Sequence, residues 1–255
     1  MKKVEDFKVL GHRWLNYKTY IIDLEAPGEL PPILPGNFAE IEIKNSPKVF
    51  LRRPFSVYDS DPKSRKMSFF IKVIGEGTRL LGEVKIGETL SVIYPLGNAF
   101  TIPDKKRILV VAGGSGIAPF IYYAKKLAPV GKEITFLFGG RTEDDIVLVE
   151  QFREFGEVLI TTEDGTLGEK GLVTQHSLFA QGNLPFDHIV TCGPDPMMKA
   201  IARMAAAKGI PCEVSLENTM ACGFGACLCC ITETVNGNKC VCTEGPVFNI
   251  NDLKW

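Results

Sequence analysis

The feature that most constrains this chain is a group of cysteines near its C-terminus: Cys222, Cys227 and Cys230 in C-x4-C-x2-C spacing, with further thiols at Cys229, Cys240 and Cys242. That spacing, followed by a more distant fourth thiol, reads as a [2Fe-2S] ligand set. Thiolates are the soft ligands iron-sulfur chemistry needs, and Gly223 and Gly225 stand where a backbone must curl tightly around a cluster. Such a curl aims N–H groups at the sulfurs and helps hold the negative charge of the reduced cluster. Cys230 is preferred to Cys229, because a two-residue gap from Cys227 lets both thiolates converge on one metal. Periodicity does not choose between Cys240 and Cys242, since residues two apart on an extended strand share a face. The competing reading is a four-cysteine zinc site, which usually presents two short knuckles where this chain has one knuckle joined to a glycine-rich loop. Disulfides suit the expected compartment poorly. The N-terminal lysines are followed by no apolar stretch and no run approaches membrane-spanning length, so a cytoplasmic location is expected, where thiols stay reduced.

At 255 residues the chain can bury a substantial core and hold two domains plus a small tail. Its 29 basic and 30 acidic residues balance, which argues against nucleic acid or an anionic membrane as partner and leaves small molecules and proteins. Up to about residue 102 the text is strand-like, with short runs at 7–10, 19–24, 38–43, 67–74 and 89–94 separated by turn residues. The expectation is an antiparallel Greek-key barrel. From 103 to 214 strands at 107–112, 133–138, 157–161, 188–191 and 211–214 alternate with helical stretches such as 118–127 and 196–208, the pattern of a parallel α/β domain. Residues 215–255 have little helix and hold six of the eight cysteines, so they are expected to form a small subdomain organised by its metal centre.

Several further stretches are candidates for nucleotide chemistry. Arg52, Arg53, Pro54, Phe55 and Ser56 put cations, a ring and a hydroxyl in one extended segment, where a phosphate can meet a guanidinium fork. An edge strand with two surface arginines is the plain alternative. Gly75-Glu76-Gly77-Thr78 opens a short helix whose N–H groups suit a pyrophosphate, with Thr78 as its cap; the alternative is a simple capped turn. Gly113, Gly114 and Gly116, within Gly113-Gly114-Ser115-Gly116-Ile117-Ala118-Pro119, follow a strand and precede a helix, as a dinucleotide approaching the backbone requires, although this is not the G-x-G-x-x-G pattern. Cys192 and Gly193 end another strand and can line the same crevice. Glu163 and Asp164, after the third strand of the sheet, can accept from an adenosine ribose and disfavour a 2′-phosphate, or belong to a solvated turn.

Taken in order, these motifs resemble the ferredoxin-reductase flavoprotein family, in which R-x-Y-S in the barrel binds FAD and both a G-G-x-G-[IL]-A-P turn and a C-G-P strand end serve the nicotinamide nucleotide. Phe55 replaces the usual tyrosine, which keeps stacking and loses a phenol hydrogen bond. The tail, from Met220 through Cys230 and on to Cys242-Thr243-Glu244-Gly245-Pro246-Val247-Phe248, resembles the electron transfer subunits of NAD-dependent (type B) dihydroorotate dehydrogenases. That resemblance selects Cys242 over Cys240 as fourth ligand. It implies FAD contacts at Arg53, Pro54, Phe55, Ser56, Phe70, Ile71, Lys72, Gly77 and Thr78. It also implies an FMN-containing catalytic partner that oxidises dihydroorotate, and a heterotetramer of two plus two.

The expected route of electrons runs from the partner's FMN through [2Fe-2S] and FAD to NAD+, because a flavin alone exchanges both single electrons and hydride. No acid-base constellation for pyrimidine chemistry is apparent. His12, His176 and His188 lie outside the motifs and read as structural, so no catalytic residue is expected on this chain. The other readings are the small subunit of a ferredoxin:NADP or sulfide dehydrogenase type oxidoreductase, whose cluster ligands commonly include an aspartate, and a zinc-stabilised binding module.

Overall fold

Period-two alternation of apolar and polar residues turns the first part of the chain into strands. In the computed structural model, which describes residues 2–44, 46, 48–180 and 184–255, these are β1 (Lys3–Asn16), β2 (Thr19–Glu25), β3 (Phe38–Ile41), β4 (Arg53–Asp61), β5 (Lys66–Lys72) and β6 (Thr89–Leu96), with helix α1 (Glu76–Leu81) before the last. They close into a barrel in the order β1-β2-β5-β4-β3-β6, every pairing antiparallel. Phe7, Ile41, Val57, Phe69, Leu90, Val92 and Tyr94 fill its interior. The first strand is far longer than residues 7–10. Residues 3–8 pair with β6 and residues 8–16 with β2, with an irregularity between Val9 and Gly11. One strand serving two partners leaves one side exposed over much of its length, which hides it from a hydrophobicity reading.

From residue 107 the pattern becomes β7 (Arg107–Gly113), α2 (Phe120–Leu127), β8 (Glu133–Gly140), α3 (Val149–Arg153), β9 (Gly156–Thr162), β10 (Glu169–Lys170), α4 (Ser177–Ala180), β11 (His188–Cys192), α5 (Asp195–Ala207) and β12 (Cys212–Ser215). In α5, Met198, Ile201, Ala202 and Ala205 recur at helical spacing and form its buried stripe. Each large apolar side chain buried this way contributes about 1.5–3 kcal/mol. The tail adds a hairpin of β13 (Ile231–Thr234) and β14 (Gly237–Cys240), the one-turn α6 (Val241–Glu244) and β15 (Val247–Asn249). The sheet order is β10-β9-β8-β7-β11-β12-β15. All its pairings are parallel except the last, where Val247–Asn249 runs antiparallel to β12. The expected purely parallel sheet therefore carries an antiparallel strand from the tail, which covers backbone groups that an edge strand would leave unpaired.

Contacts divide the chain into two units. One holds the chain up to Ala99 together with Asn218–Thr232 and Asn238–Pro246. The other holds Phe100–Glu217, Glu233–Gly237 and Val247–Trp255. Among the described residues no helix is long and apolar enough to cross a membrane.

Candidate functional site

The cysteine loop belongs to the barrel unit. Gly223 at φ +71° and Gly225 at φ +90° take left-handed conformations that a Cβ would strain. A Cβ on Gly223 would also come within 2.6 Å of Glu40 Cγ. The curl turns backbone N–H groups inward. Desolvation pushes the Cys222 thiol up, but hydrogen bonds from the Phe224, Cys227 and Ala226 backbone and from the Cys227 side chain outweigh it and bring Cys222 down to about 6. A second pair forms where the Cys242 N–H donates to Cys230 Sγ at 3.4 Å. There desolvation, then the neighbouring Cys230 sulfur, push Cys242 up to about 12, against a backbone hydrogen bond from Gly225.

The sulfurs thus stand in twos, Cys222 with Cys227 and Cys230 with Cys242, so Cys227 and Cys230 fall in different pairs and do not converge on one metal as their two-residue gap led one to expect. A two-iron cluster with four thiolates takes two per iron, and N–H groups aimed at sulfur favour its reduced form, so the donor set fits the group. Among the described residues no three His, Cys, Asp or Glu side chains converge as a single metal ion would need. The premise of an extended strand through Cys240 and Cys242 does not hold: Cys240 ends β14 and Cys242 lies in α6. The turn between them buries Cys242 and leaves Cys240 half-buried, while Cys229 is exposed.

Beneath this loop the barrel presents one face of β3 and β4. Glu40 pairs with Pro54 and Phe38 with Ser56, so these four side chains share a face, while Arg53 and Phe55 lie on the other with Ile41 and Ala39. The tail closes over the first face. Asn98 N–H donates to Gly245 O at 2.6 Å, and a Cβ on Gly97 would lie 2.5 Å from Pro246. Arg53, Pro54, Phe55 and Ser56 are all half-buried, which leaves surface for a ligand on both faces. Arg52 is committed elsewhere, donating to Ser91 O at 2.6 Å and Ser91 Oγ at 2.9 Å.

Arg53 meets the glycine turn, since a Cβ on Gly77 would sit 3.5 Å from Arg53 Nε and 3.2 Å from Val49 Cγ1. Phe70 and Ile71 are buried and Lys72 half-buried at the end of β5, which leads straight into that turn. The helix start differs from expectation. Gly75 is the cap, and Thr78, inside the first turn, reaches back to accept from the Ile74 and Gly75 N–H groups at 3.0 and 3.2 Å. A threonine hydroxyl reaches its own helix start as well from this position as from the cap. Two groups hold the far end of α1: the buried Tyr20 hydroxyl donates to Thr78 O at 2.7 Å, and a His12 ring nitrogen lies 3.0 Å from Leu81 O.

In the other unit the five predicted nucleotide residues come together, because β7 and β11 are neighbours with Ala112 opposite Cys192. Gly114 has φ +55° with open space where a Cβ would stand. Gly116 and Gly193 are tight instead, a Cβ lying 2.2 Å from Cys192 O at the first and 2.8 Å from Gly113 N at the second. This backbone cradle at the C-terminal edge of a parallel sheet fits a dinucleotide. Burial pushes the Cys192 thiol well up, and its Sγ lies 3.7 Å from Glu217 Oε1. No motif signals Glu217, which is brought beside Cys192 by the pairing of β11 with β12. Glu163 and Asp164 lie in an exposed turn, where the Asp164 carboxylate accepts from Thr166 N–H at 3.0 Å and Thr166 Oγ1 at 2.7 Å. His176 and His188 are buried, with Nε2 3.4 Å from Glu169 and Glu213 respectively.

Two protein families match in sequence: the oxidoreductase NAD-binding domain over residues 110–203 and the iron-sulfur cluster binding domain of dihydroorotate dehydrogenase B over residues 217–254. The dihydroorotate dehydrogenase B (NAD+) electron transfer subunit of Caldanaerobacter subterraneus subsp. tengcongensis is 40% identical over 245 residues, 94% of each chain. The chain belongs to the family of dihydroorotate dehydrogenase B electron transfer subunits. A second member, from Desulforamulus reducens, is 34% identical over the whole of both chains. Among solved structures, that of an NADH-dependent reduced ferredoxin-NADP oxidoreductase superposes with a TM-score of 0.86 at 31% identity, covering 98% of this chain and 90% of the other. The match to the family's cluster domain spans all six tail cysteines, Cys222, Cys227, Cys229, Cys230, Cys240 and Cys242.

Proposed function

We propose that this oxidoreductase subunit receives electrons from the FMN of a catalytic partner that oxidises dihydroorotate and passes them through [2Fe-2S] and FAD to NAD+. The observation that carries the reading is the composition of the barrel unit. Both cysteine segments pack with the barrel that bears Arg53, Pro54, Phe55 and Ser56, so one unit holds the sulfurs and the flavin motif. FAD, when bound, joins one-electron to hydride chemistry. Cys222, Cys227, Cys230 and Cys242 hold the cluster, and their N–H donors stabilise added negative charge. Arg53 pairs with a flavin phosphate, Gly77 admits the close approach, and Thr78 keeps the turn in shape. Pro54, Phe55, Ser56, Phe70, Ile71 and Lys72 line the rest of that site. Gly113, Gly114, Gly116, Cys192 and Gly193 receive the nicotinamide nucleotide.

Family membership supports a catalytic partner. Phe224 and Leu228 are half exposed on the cysteine loop itself, the kind of apolar surface a second subunit covers. The assembly proposed is two plus two, in the cytoplasm, with residues 1–102, 103–214 and 215–255 as FAD, NAD and cluster segments. The purified chain should be brown-yellow, give a paramagnetic signal after mild reduction, oxidise NADH with artificial acceptors and leave dihydroorotate untouched. A colourless protein with stoichiometric zinc, or oxidation of dihydroorotate by this chain alone, would refute the proposal.

A further inference from the structure

Among the described residues of the barrel unit, Glu40 is the one carboxylate that the folded chain buries completely, at 0% exposure, and neither of its oxygens has a hydrogen-bond partner there. Burying an ionisable group unpaired costs several kcal/mol, so such a group in a native fold calls for a redox or catalytic explanation. Its surroundings supply one. Glu40 lies directly under the cysteine loop, where a Cβ on Gly223 would meet its Cγ at 2.6 Å and Oε1 at 3.1 Å. The charged groups that act on it are Arg52, Arg53 and the Cys222 sulfur. Both arginines are tied to backbone carbonyls, Arg52 to Ser91 and Arg53 to Leu51 and Arg52, and neither donates to Glu40.

We propose that Glu40 tunes the cluster: its carboxylate charge, held dry beneath Cys222, opposes the electron that reduction brings and lowers the cluster's midpoint potential. The proposal rests on Cys222 being a ligand. Two unit charges several ångströms apart at a protein-like effective dielectric interact by enough to change an equilibrium about tenfold or more. For a one-electron couple tenfold corresponds to about 59 mV.

The test is a redox titration of the holoprotein at a series of pH values from 6 to 10, read at the alkaline end and followed by the paramagnetic signal of the reduced cluster. Glu40→Gln, nearly isosteric, should move the ratio of reduced to oxidised cluster at least tenfold toward reduced at a fixed applied potential. Glu40→Met should move it the same way, because both remove the charge. Glu42→Gln, on an exposed neighbour paired to Arg52 at 4.0 Å, should leave it in place. A structural role predicts lost stability with an unchanged potential, whereas removing an unpaired buried charge should leave folding intact or improved. Unchanged potentials in both Glu40 variants, or shifts of opposite sign, would overturn the inference while leaving the cluster assignment standing. A wild-type chain with no such signal would overturn both.

Discussion

Gly116→Ala is the sharpest probe of the nucleotide cradle. The added methyl would stand 2.2 Å from Cys192 O, 2.5 Å from Cys192 C and 2.7 Å from Gly193 N. All three are backbone atoms of a neighbouring strand end, which cannot rotate away as a flexible side chain can. Relief requires the turn after β7 and the end of β11 to separate by about 1 Å, and overpacking of this kind costs about 1–3 kcal/mol. A misplacement of that size in a binding site lowers its effectiveness by roughly 10- to 100-fold. The control is Gly114→Ala, two residues away but facing open space, where only the left-handed φ of +55° is strained and about 1–2 kcal/mol is expected. The assay combines urea denaturation with NADH oxidation by an artificial acceptor. Gly116→Ala should raise KM for NADH at least tenfold while flavin and iron content stay at wild-type levels. Unaltered stability and KM, or loss of flavin in place of nucleotide binding, would refute the reasoning.

Three other outcomes follow from the geometry. Cys242→Ser should abolish the reduced-cluster signal and Cys240→Ser should retain it, since only Cys242 is buried against Cys230; the same signal measured in both variants decides, and the reverse pattern would sink the pairing. Tyr20→Phe removes the hydroxyl that holds Thr78 O and should cost about 1–2 kcal/mol in denaturant unfolding. It should also weaken FAD retention on dilution, and a variant that binds FAD as wild type would show that α1 needs no such tether. Asp187 is held down at about 2 by hydrogen bonds from the Arg107 side chain and backbone. Because an unfolded aspartate titrates near about 3.9, this pair stabilises the fold fully above that pH and loses its effect as pH falls toward about 2. Asp187→Asn should therefore flatten acid unfolding within that window and nowhere else.

Much of the architecture was legible because short-range patterns carry it. The barrel, the βα alternation and the three glycine-bearing stretches are local arrangements of period and backbone freedom, and β7, β11 and α5 run within a residue or two of their expected bounds. What was illegible depended on long-range pairing. The length of β1 follows from its having two partners, and the antiparallel strand Val247–Asn249 from the tail's return to β12. Local text does not record either. Glu217 is likewise ordinary until strand pairing sets it beside Cys192.

Residue spacing by itself pointed to thiol ligands at C-x4-C-x2-C and to glycine turns at the strand ends, whereas the arginine ahead of an aromatic ring read as a flavin site only through the family resemblance. Ligand sets and backbone cradles depend on residues close along the chain, so their signature survives without coordinates. Tertiary structure alone decided the environments. Glu40 and Glu42 alternate identically in Phe38-Ala39-Glu40-Ile41-Glu42, as two solvent-facing carboxylates would. Yet the side chain of Glu42 is 48% exposed, whereas Glu40 is sealed and desolvation pushes its carboxyl up to about 7. The difference is a loop arriving from more than 180 residues away, from Cys222 onward, to cover one and not the other. Burial is a property of what the rest of the chain places on top, and no window of sequence contains it.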